Sequence, residues 1–120
     1  MENGFSFECY DTIYENCFIH RSKYSNGNLQ LSLFGIDLFT GDVAHFADIT
    51  LNQNCKVLAK DEIIVDCKYK PTFLPQLIDL GILKERVGTY IANSMFYPIY
   101  TVDFEKIYER EYAMQELIAA

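Results

Sequence analysis

The sequence predicts an α+β fold: an antiparallel or mixed sheet of five to six strands, a short helix over about 72–80 and a C-terminal helix over about 104–118. Three observations predict it. Asn26-Gly27 is followed by Leu29, Leu31 and Leu33 alternating with Gln30 and Ser32, the pattern of a tight turn opening a half-buried strand. Pro71 and Pro75 frame an apolar stretch that closes at Gly81. Apolar residues then recur on one side of a helix from Phe104 to Ile118.

Each element follows in order. Thr12 to Tyr24 is rich in Ile, Tyr, Phe and Cys and reads as a strand. A two-residue turn at Asn26-Gly27 sets Tyr24 opposite Leu29, Ser22 opposite Leu31 and His20 opposite Leu33. Parity then places Phe18, His20 and Tyr24 with the leucines on the buried face, and Arg21 and Lys23 on the outer one. The chain turns again through Asp37 to Asp42. The next strand sets Val43, His45, Ala47, Ile49 and Leu51 on one face and ends at Asn52-Gln53-Asn54. Glu62 to Tyr69 is a further strand, with Ile63, Val65, Cys67 and Tyr69 inward.

Thr72 is the expected N-cap of the short helix, with Leu74, Leu77 and Ile78 as its apolar stripe. Gly81 is the expected left-handed C′ residue, and Ile82 packs back on the helix. Val87–Ala92 and Met95–Val102 read as strands. Pro98 cannot donate to a ladder, so the second is expected at an edge or at a bulge. Asp103 caps the closing helix, with Phe104, Ile107, Tyr108, Met114, Leu117 and Ile118 on its apolar side.

At 120 residues the chain is one domain, 1–120, half hydrophobic and with nine Tyr, nine Phe and no Trp. That composition argues against disorder. The net charge of −7 disfavours direct binding to nucleic acid or an anionic membrane. It fits either plain solubility or a carboxylate surface that occupies a basic groove. The first residues do not read as a secretory signal, and no apolar run approaches the ~20 residues a membrane span needs. A cytoplasmic location is expected, with Cys9, Cys17, Cys55 and Cys67 as free thiols.

The chemistry-bearing residues are few. His20 and His45 form a candidate polar site, either an acid/base or metal pair or two imidazoles at the edge of the core. Further ligands for a catalytic zinc are missing from the pattern. Cys17-x-x-His20 puts its two side chains on opposite faces of a strand, which argues against a joint site. Isolated glycines, single cysteines and acids interleaved with Lys106 and Arg110 give no phosphate loop, no C-x-x-C and no converging carboxylates. Catalytic residues, metals and cofactors are therefore not expected. Tyr90, Phe96, Tyr97 and Tyr100 cluster around Pro98 and form the candidate interface, since Tyr is enriched at protein contacts.

The chain resembles an uncharacterised domain-of-unknown-function family of small bacterial proteins carried on plasmids, conjugative elements and phages. The resemblance lies in Tyr24-x-Asn26-Gly27-x-Leu29-x-Leu31-x-Leu33, Thr40-Gly41-Asp42, Thr50-Leu51-Asn52, Asp61-Glu62-Ile63, Leu77 to Ile82 and Tyr97-Pro98-Ile99-Tyr100. It implies a shared fold and a mobile-element setting, and carries over no catalytic residue. The closing helix departs from that pattern, and so do the prolines near Leu74. The expected function is a non-catalytic accessory protein that binds a protein partner. One form of it is an inhibitor of a host nucleic-acid-directed defence enzyme, of anti-restriction or anti-CRISPR type. The alternatives are a small enzyme or ligand binder using His20 and His45, and a homodimer joined through the strand at Tyr97–Tyr100.

Overall fold

A computed structural model describes residues 4–9, 12–36, 39–53, 58–67 and 71–110. Among these residues, eight strands form two four-stranded antiparallel sheets in place of the single sheet expected. The first contains β1 (Phe5–Cys9), β2 (Thr12–Lys23), β3 (Leu29–Ile36) and β4 (Val43–Asp48), in the order β1-β2-β3-β4. The second contains β5 (Thr50–Leu51), β6 (Glu62–Val65), β7 (Leu83–Ala92) and β8 (Met95–Val102), in the order β5-β6-β8-β7. Helix α1 covers Phe73–Asp79, and α2 is helical over 104–110. The fold is mostly β and broadly α+β.

The extra strands come from two causes. β1, Phe5-Ser6-Phe7-Glu8-Cys9, carries the period-two alternation of a strand but falls outside the strands expected above. The strand expected to run from Val43 to Leu51 breaks at Ile49, where the chain passes from one sheet to the other. Ile49 donates its N–H to Leu31 and accepts from Asp66 N–H, so one residue joins the two sheets.

The turn at Asn26-Gly27 is not the two-residue loop expected. Gly27 N–H donates to Tyr24 C=O, Tyr24 N–H donates to Asn28 C=O, and Gly27 has φ +88°. This is a three-residue loop with a left-handed glycine, and it shifts the pairing by one. Ile19 opposes Leu33, Arg21 opposes Leu31 and Lys23 opposes Leu29. A one-residue shift exchanges the two faces of a strand. Cys17 and Ile19 therefore join the leucines in the core, with Arg21 and Lys23 further along that face, while His20 turns outward.

β4 corrects the second histidine by another route. Its register against β3 slips between Leu33 and Phe34, which leaves Phe46 as the extra residue of a bulge. The bulge keeps Ala47 inward but turns His45 outward, opposite Phe34. Phe46 lies over Gly35, where an added Cβ would collide with its ring, and stacks on Tyr14 at 4.4 Å between centroids.

The main core joins Leu31, Leu33 and Ile49 to Ile63, Val65, Phe73, Leu77, Ile82, Val102 and Ile107. The buried side of α1 is Phe73 and Leu77; Ile78, expected in the stripe, is exposed. Thr72 occupies the N-cap position but makes no cap hydrogen bond; its hydroxyl donates to Glu8 C=O instead. The helix ends as its sequence requires. Gly81 has φ +77°, its N–H donates to Ile78 C=O, and buried Ile82 N–H donates to Leu77 C=O. Asp103 caps α2, its Oδ1 accepting from Glu105 and Lys106 N–H. The expected continuation to Ile118, with Met114, Leu117 and Ile118, lies outside the described residues, as do Asp37, Asn54 and the strand end at Lys68 and Tyr69.

Pro98 does not sit in an edge strand. β8 lies between β6 and β7, and Pro98 pairs with Thr89. It is tolerated because the β6 ladder stops at Ile64–Ile99, one residue short of it. The bulges in this hairpin fall in β7, on either side of Arg86.

Candidate functional site

The β7–β8 hairpin is the best-defined candidate. Asn93 and Ser94 both have positive φ, 49° and 63°, and close a two-residue loop between Ala92 and Met95. Two positive φ values make a type I′ turn, whose twist matches that of the strands. This fixes Tyr90 opposite Tyr97 and Ile91 opposite Phe96, on opposite faces.

One face is closed. Ile64, Tyr97 and Ile99 are buried in a cluster with Leu51, Leu58, Tyr90, Ala92 and Met95 packed against them. The Tyr90 and Tyr97 rings lie 6.5 Å apart. The other face is covered only at one end. Val102 is in the main core and Tyr100 packs against it, but Phe96 is 67% exposed and Ile91 59% exposed. The hairpin tip therefore extends its inner face beyond the core.

The four expected interface aromatics thus separate. Tyr97 is buried, Tyr90 and Tyr100 are half-buried, and only Phe96 is largely exposed. Ile91 is the residue that aromatic clustering missed. The Asn93-Ser94 loop could have found it, because that loop sets Ile91 opposite Phe96. Val87, 46% exposed, adds apolar surface along the same strand. β7 pairs with β8 on one side and with no further strand on the other among the described residues.

The histidines form a second, shallower constellation. His20 and His45 lie on the outer face of the first sheet, both exposed, with the Phe34 ring between them at 5.2 and 5.1 Å. His45 Nε2 is 2.9 Å from Asp48 Oδ1, and Ser32 Oγ donates to the same oxygen. The two imidazoles are open to solvent and stand on either side of a phenyl ring. Both imidazoles are exposed, so a reacting group beside them would face water.

Cys17 is fully buried, and its Sγ–H donates to Tyr14 C=O at 3.3 Å. Burial pushes its thiol up to about 12, with a backbone hydrogen bond from Phe7 opposing. A thiol so protonated is a poor nucleophile. Cys17 and Cys67 are free; the Cys9 and Cys55 side chains lie outside the described residues. Among the described residues no group of three or more His, Cys, Asp or Glu is placed to hold a metal ion. Nor is any helix among them long and apolar enough to cross a membrane.

Two of the segments that carry the resemblance, Tyr24–Asn28 and Thr50–Asn52, meet in space. Tyr24 Oη lies 2.9 Å from Thr50 Oγ1, and Thr50 Oγ1 accepts from Leu31 N–H. The amides of Asn26 and Asn28 both donate to Asn52 Oδ1. Tyr24-x-Asn26-Gly27-Asn28 and Thr50-Leu51-Asn52 are thus the two halves of one clasp between the sheets. Their role is architectural. No family model, curated protein or solved structure matches the chain.

Proposed function

We propose that this chain is a non-catalytic binding module that engages a protein partner through the edge of β7 that no described strand pairs with, and the Ile91–Phe96 pair beside it. The observation that carries this reading is the coincidence of the two. An edge strand is a template for pairing with an incoming strand. Beside it, two large apolar side chains stand more than half exposed on neighbouring strands. Strand addition supplies main-chain hydrogen bonds, and apolar pockets for alternate side chains supply specificity.

The charge narrows the partner. A chain of −7 is attracted to basic surfaces, and the grooves of nucleic-acid-directed enzymes are basic. An inhibitor of such a defence enzyme, working in the cytoplasm, remains the specific form of this proposal. The free thiols of Cys17 and Cys67 fit a reducing compartment.

The test uses Ile91→Lys and Phe96→Lys, both at exposed positions. Binding and inhibition of restriction and CRISPR effectors are measured at micromolar protein. The wild type binds a partner, and each variant weakens that binding at least about tenfold, the loss of ~1.4 kcal/mol, with unchanged circular dichroism. Equal binding by the variants overturns the site. Light scattering addresses the other occupant of this edge, a second copy of the chain. A dimer that both substitutions dissociate would replace the partner reading with self-association.

A further inference from the structure

A cleft of about 730 Å³ opens between the β2–β3 hairpin, the turn before β6 and α2. It shares no residue with the Ile91–Phe96 surface. Among the described residues, Arg21, Lys23 and Lys60 line it together with the carboxylate of Asp61, and Phe104 and Tyr108 form an aromatic wall. The shifted register of β2 is what brings two of these cations here. Arg21 and Lys23 follow Ile19 along the inner face, opposite Leu31 and Leu29, at the end where the core opens.

The described residues that line the cleft reverse the chain's charge balance. The whole chain has seventeen acids and ten Lys and Arg, yet among the described residues that line this concavity there are three of those ten and one acid. Among the described residues Lys23 and Lys60 enter no ion pair. A concave wall focuses such a field, so the cleft attracts anions although the molecule as a whole repels them. The aromatic wall sets a second requirement. The Arg21 guanidinium lies 4.7 Å from the centroid of the Tyr108 ring, and the Phe104 and Tyr108 centroids are 6.1 Å apart. The volume falls in the range of small-molecule sites, roughly 300–1,000 Å³, and far exceeds a bare phosphate.

We propose that this cleft binds a mononucleotide, with its phosphates met by Lys23 and Lys60 and its base set against the wall of Tyr108 and Phe104. Phosphate takes lysine as a point-charge partner, and bases stack on aromatic side chains in a sequence-tolerant way. A nucleic-acid strand is disfavoured, because its further phosphates would meet the acidic remainder of the surface.

Isothermal titration of the full chain at low salt tests this with adenosine and guanosine mono- and triphosphates, the unphosphorylated nucleosides, inorganic pyrophosphate and a single-stranded oligonucleotide. The nucleotides bind, and nucleosides and pyrophosphate each bind at least about tenfold more weakly, since each lacks one half of the recognition. Lys23→Gln and Lys60→Gln, both at exposed positions, each weaken nucleotide binding by about tenfold or more with unchanged melting temperature of the free protein. No heat with any nucleotide at millimolar concentration overturns the proposal. So does equal affinity in the lysine variants. Pyrophosphate binding as tightly as nucleotide removes the aromatic half, and tighter binding of the oligonucleotide replaces the ligand class. Ile91→Lys serves as the control: it leaves nucleotide binding intact, so failure here is separate from failure of the protein-binding surface.

Discussion

Gly35 shows how much a single absent side chain decides. It lets the Phe46 ring lie flat on β3 and stack on Tyr14, which fixes the bulge that turns His45 outward. A Cβ here has no space, and Phe46 is confined by its own stack. Gly35→Ala is expected to cost about 1–3 kcal/mol, read as a lower urea midpoint. Cys17 gives a second prediction at this scale. Buried and protonated, it is expected to resist thiol reagents in the native state and to react on denaturation. Its folded value is raised from 9.0 to about 12, so the protonated form belongs to the native state. The stability this represents is complete below pH 9 and is lost as pH rises towards 12, amounting to at most about 4 kcal/mol. Tyr24 acts with the same sign. Burial chiefly raises it, aided by the charges of Asp48 and Asp66 and opposed by its bond to Thr50. Alkaline titration followed by circular dichroism should show a flat region to about pH 9 and then a fall; a constant melting temperature into strong alkali would contradict this.

Among the elements, β1 and β7 are each one of the two outer strands of their sheet, the others being β4 and β5, and they are treated in opposite ways. β1 is closed by a side chain. Gln76 on α1 accepts from Glu8 N–H at 2.7 Å and donates to Glu8 C=O at 2.9 Å, as a neighbouring strand would. Its Nε2 also donates to Thr72 C=O, which ties the strand to the helix start. This blunts an edge that would otherwise invite pairing. Gln76→Ala is expected to cost about 1–3 kcal/mol and to raise the protein's tendency to aggregate, measured by denaturant titration and light scattering. β7 has no comparable cover among the described residues, and the contrast is why function is assigned to it. Some of this was legible in the chain. Gly81 and Ile82 closed α1 as their types require, and Asp103 capped α2, because caps are local chemistry. The loop at Asn26-Gly27 was legible as a turn but not in its length. Two- and three-residue loops use the same Asn-Gly pair and differ by one residue in register.

For the molecule as a whole, that one residue redistributed its candidate sites. It moved His20 off the core face and put Arg21 and Lys23 on the face that leads to the cationic cleft. The bulge at Phe46 did the same for His45, so the two histidines share a face, but an open one. The described residues therefore present two candidate binding features, an apolar hairpin tip and a cationic cleft, and the substitutions proposed for each are expected to act independently, as separated sites do. A double variant, Ile91→Lys with Lys60→Gln, should lose both binding activities by the sum of the single effects; strong non-additivity would mean the two surfaces form one site.

By itself the sequence determined what depends on neighbours within a few residues: strand and helix character, the caps at Gly81 and Asp103, and the positions of the turns. It also set the overall acidity of the chain. The tertiary structure alone decided which face of β2 meets the core, where β4 leaves one sheet for the other, and that Pro98 lies in an inner strand. The reason is physical. A strand repeats every two residues, so one bulge or one extra loop residue reverses every side chain beyond it, and only contacts between strands distant in sequence select the register.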